Sequence, residues 1–318
     1  MDNTAPHIPR ELQIFFNEHN KTCTNCGKKF QKDMVANVGY LVEKKPAVLC
    51  DECSHLLTET VVRYCWMEPE YDEVVHTSLL WRYMDLGKFI SLIGKKKLYF
   101  ASLESFEDLF EGAKGVAYRK DEWDSFYLDV FKQAIQTAPG INEKELTQQY
   151  IEENALRLLS EMDNFGKRDR KITFVSCWYC NQYESEAMWK LYSGNIKNAI
   201  AIQTTYQQLY EALGRDPSIE IGKVRYIDYA KRFSSVNGSH WYKRKSFEYE
   251  QEVRAVVKDF NASGNGIEKD IDVEKLINAV YISPYAPKWF MDVVCDVLKK
   301  YGLDKPVCHS EMKETPFY

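Results

Sequence analysis

Residues 79–103 read LLWRYMDLGKFISLIGKKKLYFASL, and the reading of this stretch decides the fold class. LLWRYM (79–84) has the apolar and aromatic content of a strand. Asp85 stands where an N-cap is needed. Leu86, Phe89, Ile90 and Ile93 then recur at helical spacing, and Gly94 reads as the stop. LYFASL (98–103) follows as a second strand.

The same periods run on through the chain. Strands are expected at KITFVSCWY (171–179), NAIAIQTT (198–205), IGKVRYIDY (221–229), QEVRAVVKD (251–259) and AVYISPYAP (279–287). Residues 120–165 read as helical, broken by the APG turn at 138–140, with Leu146, Ile151, Leu158, Leu159 and Met162 as buried positions. ESEAMWKLY (184–192) and YQQLYEAL (206–213) are further helices. The last helix sets Trp289, Phe290, Val293, Val294, Val297, Leu298 and Tyr301 on one face. This mixed order predicts an α+β fold, with helices packed on a mostly antiparallel sheet.

The chain has 318 residues, 45% hydrophobic and 28% charged, as a globular protein with a large core would have. No run of 18 apolar residues is present, and the start, MDNTAPHIPRELQ, lacks a signal-peptide core, so no membrane partner is expected and the expected compartment is the cytoplasm. The net charge is −5; residues 1–75 carry 8 Lys/Arg against 12 Asp/Glu. Neither end is a basic domain, which counts against nucleic-acid binding dominated by phosphate neutralisation. Pro69 and the acidic run around it mark a linker near 70–75. The expected organisation is a module and linker over 1–72 and an α+β domain over 73–318.

Four of the nine cysteines form two C-x-x-C pairs, Cys23–Cys26 and Cys50–Cys53. Each pair lets two thiolates grip one tetrahedral ion, and the 23 residues between them suit a hairpin. Gly27 permits the tight turn after Cys26, while Lys28 and Lys29 offset thiolate charge. The helical pattern from Leu57 on suggests a treble-clef or zinc-ribbon-like module. His55 is an alternative ligand, and redox pairs or free thiols are the other readings. Four thiolates leave no open coordination position, so the zinc is expected to be structural, a folding element for a module with little core. No histidine lies between Cys26 and Cys50, which favours a structural or docking module over a DNA-cutting one.

Four ordered blocks carry a resemblance. They are LWRYMDLGKFISLIGKKKLYFASLESFEDLFEG (80–112); VSCWYCNQYESEAMWKLYSG with NAIAIQTT (175–205); IGKVRYIDY (221–229); and KRKSFEYEQEVRAVV (243–257), closed by YISPYAPKWF and LKKYGLDKPV. Over residues 76–318 the chain resembles the bacterial domain-of-unknown-function family two-nine-seven-one, which is associated with defence genes and is distantly similar to ADP-ribosyltransferase folds. Two features depart from that family. Trp81-Arg82-Tyr83-Met84 stands where other members have a Tyr-His/Lys-Tyr-Arg/Thr-Ser pattern, and Cys180 is not a family hallmark. The cysteine module lies outside the resemblance.

The resemblance implies a defence- or toxin-like effector that uses NAD. Such an enzyme needs an anchor for diphosphate and ribose, aromatic faces for nicotinamide, and a late-strand carboxylate beside an oxocarbenium-like centre. Arg82 is the candidate clamp, with Tyr83, Trp178 and Trp189 as stacking faces. Glu250 and Glu252 are the candidate carboxylates. With period two they share a ridge with Arg254. Glu107, Asp108 and Glu111 could contact a ribose or a divalent cation.

Each assignment has a plainer alternative. Glu252 and Arg254 could simply form a salt bridge, the tryptophans and Cys177 could be core, and the loops at 106–112 and 243–245 could be solvated. The basic stretch Lys243-Arg244-Lys245 could otherwise meet phosphate. No Gly-rich phosphate loop, HExxH or Ser-His-Asp pattern is present. Three functions therefore stand: an NAD-using transferase or NAD-consuming effector, a metal-dependent nuclease built on the 107–111 carboxylates with Glu252, and a non-enzymatic zinc-containing binding or sensor module. The target of such an effector is a protein or a nucleic acid.

Overall fold

A computed structural model of the chain describes residues 21–31, 36–40, 46–53, 71–137, 146–192, 197–216 and 218–318. His55, the helical pattern from Leu57, the linker at Pro69 and the turn at 138–140 lie outside the described residues. The chain divides into two compact units, Met1–Glu70 and Tyr71–Tyr318.

The smaller unit contains an antiparallel hairpin of β1 (Asn37–Tyr40) and β2 (Pro46–Leu49), registered from Asn37 opposite Leu49 to Tyr40 opposite Pro46.

The larger unit is α+β, and its sheet is mostly antiparallel. It opens with β3 (Leu79–Asp85), α1 (Leu86–Lys95) and β4 (Lys97–Ser102). The Asp85 carboxylate caps α1 by accepting from the Lys88 amide at 2.8 Å, and Phe89, Leu92 and Ile93 are buried. Gly94 does not end this helix. The left-handed cap is Lys96, at φ 54°. A Cβ on Gly94 would sit 3.2 Å from the Tyr301 ring, so its glycine serves close packing rather than termination.

Two long helices follow, α2 (Lys120–Gln136) and α3 (Gln148–Ile172), which bury Ile135, Ile151 and Ala155 between them. Then come β5 (Thr173–Cys180), α4 (Glu186–Tyr192), β6 (Ala199–Thr205) and α5 (Tyr206–Ala212), the last begun by a Thr205–Gln208 capping box. The expected strand at 221–229 is two strands. β7 (Ile219–Lys223) pairs in the main sheet, and β8 (Arg225–Ile227) runs parallel to β9 (Tyr242–Arg244). The break falls at Val224, whose amide donates to the Glu252 carbonyl at 2.9 Å. β10 (Glu252–Lys258), β11 (Gly266–Asp270), α6 (Val273–Leu276), β12 (Ala279–Ile282), α7 (Trp289–Lys300) and β13 (Val307–His309) complete the unit. On α7, Phe290, Val294 and Leu298 are buried, whereas Trp289 and Tyr301 are exposed.

Among the described residues the main sheet has nine strands, and it forks at β5. One edge of β5 pairs with β10 along its length, Glu252 opposite Tyr179 through Lys258 opposite Thr173. The other edge is shared. β4 takes Phe174 and Val175, β3 takes Tyr179 and Cys180, and no rung joins either strand to Ser176, Cys177 or Trp178. From there one branch runs β4–β11 and the other β3–β6–β12–β13, in which β12 and β13 are the parallel pair.

His240 is buried against Trp241, and among the described residues neither ring nitrogen has a hydrogen-bond partner. Burial, reinforced by the charges of Lys258, Arg254 and Lys114, drives its pKa well below the usual 6.5. The unfolded chain protonates this imidazole below about pH 6.5 and the folded chain does not. Its contribution to stability is therefore complete above that pH and is lost as pH falls, by about 1.4 kcal/mol per unit. We expect His240→Phe to flatten the acid side of the stability–pH curve, measured by denaturant melts between pH 7 and 5. An unchanged slope would contradict this account.

Candidate functional site

The fork makes a cleft. Its volume is about 430 Å³, and it is lined from β3, α1, β4, β5 and α4, by Glu268 of β11, and by Glu250 and Glu252. That volume lies in the range of small-molecule sites, roughly 300–1,000 Å³.

Arg82 spans the gap where ladder rungs are missing. It donates to Ser176 Oγ on β5 and, at 3.3 Å, to the Tyr99 carbonyl on β4, with its guanidinium 5.5 Å from the Trp178 ring centroid. Burial lowers its pKa, and no carboxylate lies within ion-pair distance of it among the described residues. A half-buried guanidinium bonded only to neutral oxygens retains most of its pull on an anion. Lys88 and Lys97 also line the cleft. Among the described residues each makes a surface ion pair, to Asp85 at 3.3 Å and to Asp270 at 3.6 Å.

The acidic wall belongs to the other face of the sheet. Trp81, Tyr179 and Glu252 are in register across β3, β5 and β10 and so share a face, while Arg82 points to the opposite one. Both faces reach the cleft at the fork. Glu250 is not on the strand ridge. It ends a 3₁₀ turn, Lys245–Glu250, and Gln251 at φ 38° separates it from β10. The two carboxylates are brought together by Lys243 instead, which donates to Glu250 Oε2 and, at 3.1 Å, to Glu252 Oε2.

Behind them lies a buried ion network. Arg254 donates to Glu252 Oε1 at 2.6 Å, to Glu111 Oε2 at 2.7 Å and to the His240 carbonyl at 2.7 Å. Lys243 Nζ also lies 3.4 Å from Glu111 Oε1. All five charged side chains are buried, three carboxylates with two cations. The environment separates the two cleft carboxylates. Burial pushes both upward, but Arg254 and Lys243 hold Glu252 at about 2, whereas Glu250, facing Lys243 and repelled by Glu252 and Glu111, stays above the usual carboxylate value.

Of the residues singled out from sequence, Arg82, Tyr83, Trp178, Glu250 and Glu252 line the cleft. Tyr83 is anchored by accepting from the Ser185 amide at 2.9 Å. Trp189 does not line it; it is buried edge-on behind Tyr83, with its indole N–H on Glu184 at 2.7 Å. Arg254 and Glu111 stand behind the wall and hold Glu252. Glu107 is exposed, and Asp108 pairs with Arg244 at 2.7 Å. The 107–111 carboxylates thus do not assemble with Glu252 into an open cation site. Among the described residues the four cysteines are the group that can hold a metal ion.

Sequence reasoning read Lys243 as a loop cation facing solvent or phosphate rather than as the partner of the two glutamates, read Cys177 as core, and did not place Tyr192, Tyr99 or Phe106 on the cleft wall. The alternation in KITFVSCWY could have found Cys177, which shares a face with Val175 and Tyr179.

In the smaller unit, Cys23, Cys26, Cys50 and Cys53 place their sulfurs within 4.8 Å of one another, Cys26 and Cys50 at 3.7 Å. A zinc ion with bonds of about 2.3 Å sets sulfurs about 3.8 Å apart, so the cluster fits it. The first pair is a knuckle. The Gly27 amide donates to the Cys23 carbonyl at 2.9 Å, with Gly27 at φ 71°, and the Thr24 hydroxyl ties the turn to Val48 at 2.7 Å. Burial raises the Cys23 thiol, but the amides of Cys26, Cys50 and Asn25 outweigh it and hold it at about 6. Stripping metal with a chelator is expected to remove one of two melting transitions and leave the transition of Tyr71–Tyr318 in place. A single transition, unchanged after complete metal removal, would count against a folding role.

No family model matches the chain, so the family resemblance rests on the four blocks alone. No curated protein matches it either. Two solved structures of DarT from Thermus sp. 2.9 do. One, in complex with carba-NAD+, has 9% identity over 75% of this chain and 97% of that chain, with a TM-score of 0.33. The other, in complex with ADP-ribosylated single-stranded DNA, has 12% identity over 77% of this chain and 100% of that one, with a TM-score of 0.34. Among the described residues no helix is long and apolar enough to cross a membrane.

Proposed function

We propose that the forked-sheet unit is an NAD-dependent ADP-ribosyltransferase, or an NAD-consuming enzyme, acting as a bacterial defence- or toxin-like effector. The reading is carried by one observation. A cation without a carboxylate partner, Arg82, and an ionised carboxylate, Glu252, reach a single aromatic-walled cleft from opposite faces of the sheet. A ligand that satisfies both has an anionic middle and a reacting end whose positive charge passes from a pyridinium ring to the ribose as the bond breaks, which describes an oxidised pyridine dinucleotide. The likeness to solved structures is too distant to add to this.

In this reading Arg82, with Lys88 and Lys97, receives the pyrophosphate, and Tyr83 and Trp178 offer ring faces. The bond between nicotinamide and ribose C1′ breaks, and its electron pair leaves with nicotinamide. Positive charge gathers on the ribose beside Glu252, where an ionised carboxylate fixed by Arg254 and Lys243 needs no reorganisation. The acceptor then bonds to C1′, and its proton passes to Glu250, whose raised pKa suits a base. The cysteine unit, with zinc, is a structural module that presents or recruits the acceptor.

The test is incubation with labelled NAD and separate protein, nucleic-acid and water-only acceptor arms, reading nicotinamide release and label transfer. Turnover that Glu252→Gln loses, and that Arg82→Ala loses at NAD concentrations below KM, supports the assignment and locates it. Absence of turnover together with absence of NAD binding by calorimetry would remove it.

A further inference from the structure

We propose that a second cavity, between the loop at 112–114 and the C-terminal part of α3, is a binding site for a phosphate-bearing ligand. The cavity has a volume of about 460 Å³. Four cations line it, Lys114, Lys167, Arg170 and Lys171, against two carboxylates, Glu104 and Asp163. Both carboxylates are already engaged, Glu104 with Lys171 at 3.6 Å and Asp163 with Lys120 at 2.8 Å. Lys167 and Arg170 have no acceptor among the described residues, and Arg170 Nε is buried without one.

Cations in the last turn of a helix answer its dipole, and Arg170 and Lys171 do so on α3. That role needs only an exposed charge and gives no reason to bury a guanidinium N–H unpaired, which is unfavourable. Lys167 and Arg170 are also three residues apart on the same helix face, so they repel unless an anion lies between them. The backbone makes room for this arrangement. Gly112 is at φ 74°, and a Cβ there would lie 3.1 Å from Arg170 Cγ, so a side chain at this position would displace the arginine. A guanidinium fork beside a lysine matches the oxygens of a phosphate, and its multiple charge answers two unpaired cations better than one carboxylate does.

The source of the phosphate, a free ion or a nucleic-acid strand, is separated by two probes. Full-length protein carrying Arg82→Ala, so that the forked cleft does not compete, is titrated with inorganic phosphate by calorimetry and with a labelled single-stranded oligonucleotide by anisotropy at two salt concentrations. Arg170→Gln and Lys167→Gln are each expected to weaken binding by about tenfold or more. If the strand is the ligand, each substitution also lowers the salt slope by about one. Phosphate binding without strand binding assigns the site to a free phosphate or nucleotide. Lys167 is exposed, so its substitution tests the site without endangering the fold. Failure of both probes to bind at millimolar concentration, or affinities unmoved by both substitutions, would overturn the proposal.

Discussion

Glu252→Gln is expected to lower NAD turnover by about 10²–10³-fold while KM changes little, because the carboxylate meets positive charge on the ribose, which develops only as the glycosidic bond breaks. Arg82→Ala, by contrast, is expected to act mainly on KM, since pyrophosphate is anionic in ground and transition states alike. Glu250→Gln differs from both. With Glu250 as base, the rate falls as pH drops through its raised pKa, and the glutamine variant loses that acid limb. Glu252, held at about 2, is ionised throughout the same window and contributes no limb of its own. The measurement is kcat and KM between pH 4.5 and 8 for the three variants, below the melting temperature of each. Equal effects of all three on KM alone would mean the carboxylates only shape the cleft.

The largest expected stability effect comes from behind that wall. Arg254 is fully buried and bonds Glu252, Glu111 and the His240 carbonyl. Arg254→Met removes one of two cations that face three buried carboxylates, and is expected to lower stability by about 3–5 kcal/mol. Removing Glu111 as well, as Glu111→Leu with Arg254→Met, restores the original excess of one negative charge. The double variant should therefore lose less than the single one, although both leave the His240 carbonyl without its donor. Denaturant melts of the four proteins in the cycle measure the coupling. Losses that simply add would show that the network is not a unit.

Much of the fold was legible because it repeats local rules. The strand–helix–strand at 79–103 follows from its periods and from the Asp85 cap. Gly94 misled because a glycine near a helix end reads as a cap, whereas Tyr301, two hundred residues away in sequence, is what requires it. The site shows the same division. Arg82, Glu250 and Glu252 could be singled out from residue type and the family resemblance. The Glu252–Arg254 pair follows from period two, but the partnership of Glu111 and Lys243 with them depends on strand order, which no local period encodes. The ridge expected for Glu250, Glu252 and Arg254 fails at Gln251, whose left-handed backbone ends the alternation, yet Lys243 draws the two glutamates together again.

The fork in the sheet bears on how ligands could be exchanged. A groove between domains opens on a hinge, but here both walls are strands tied to the same β5, Val175 to Ala101 on one side and Tyr179 to Trp81 on the other. Widening the groove would break ladder bonds, each worth about 1 kcal/mol. Its aperture is therefore set when the chain folds. Changes of ligand preference are left to side chains that can be exchanged singly, Tyr99, Phe106 and Tyr192 among them, while the spacing of the rails stays as it is.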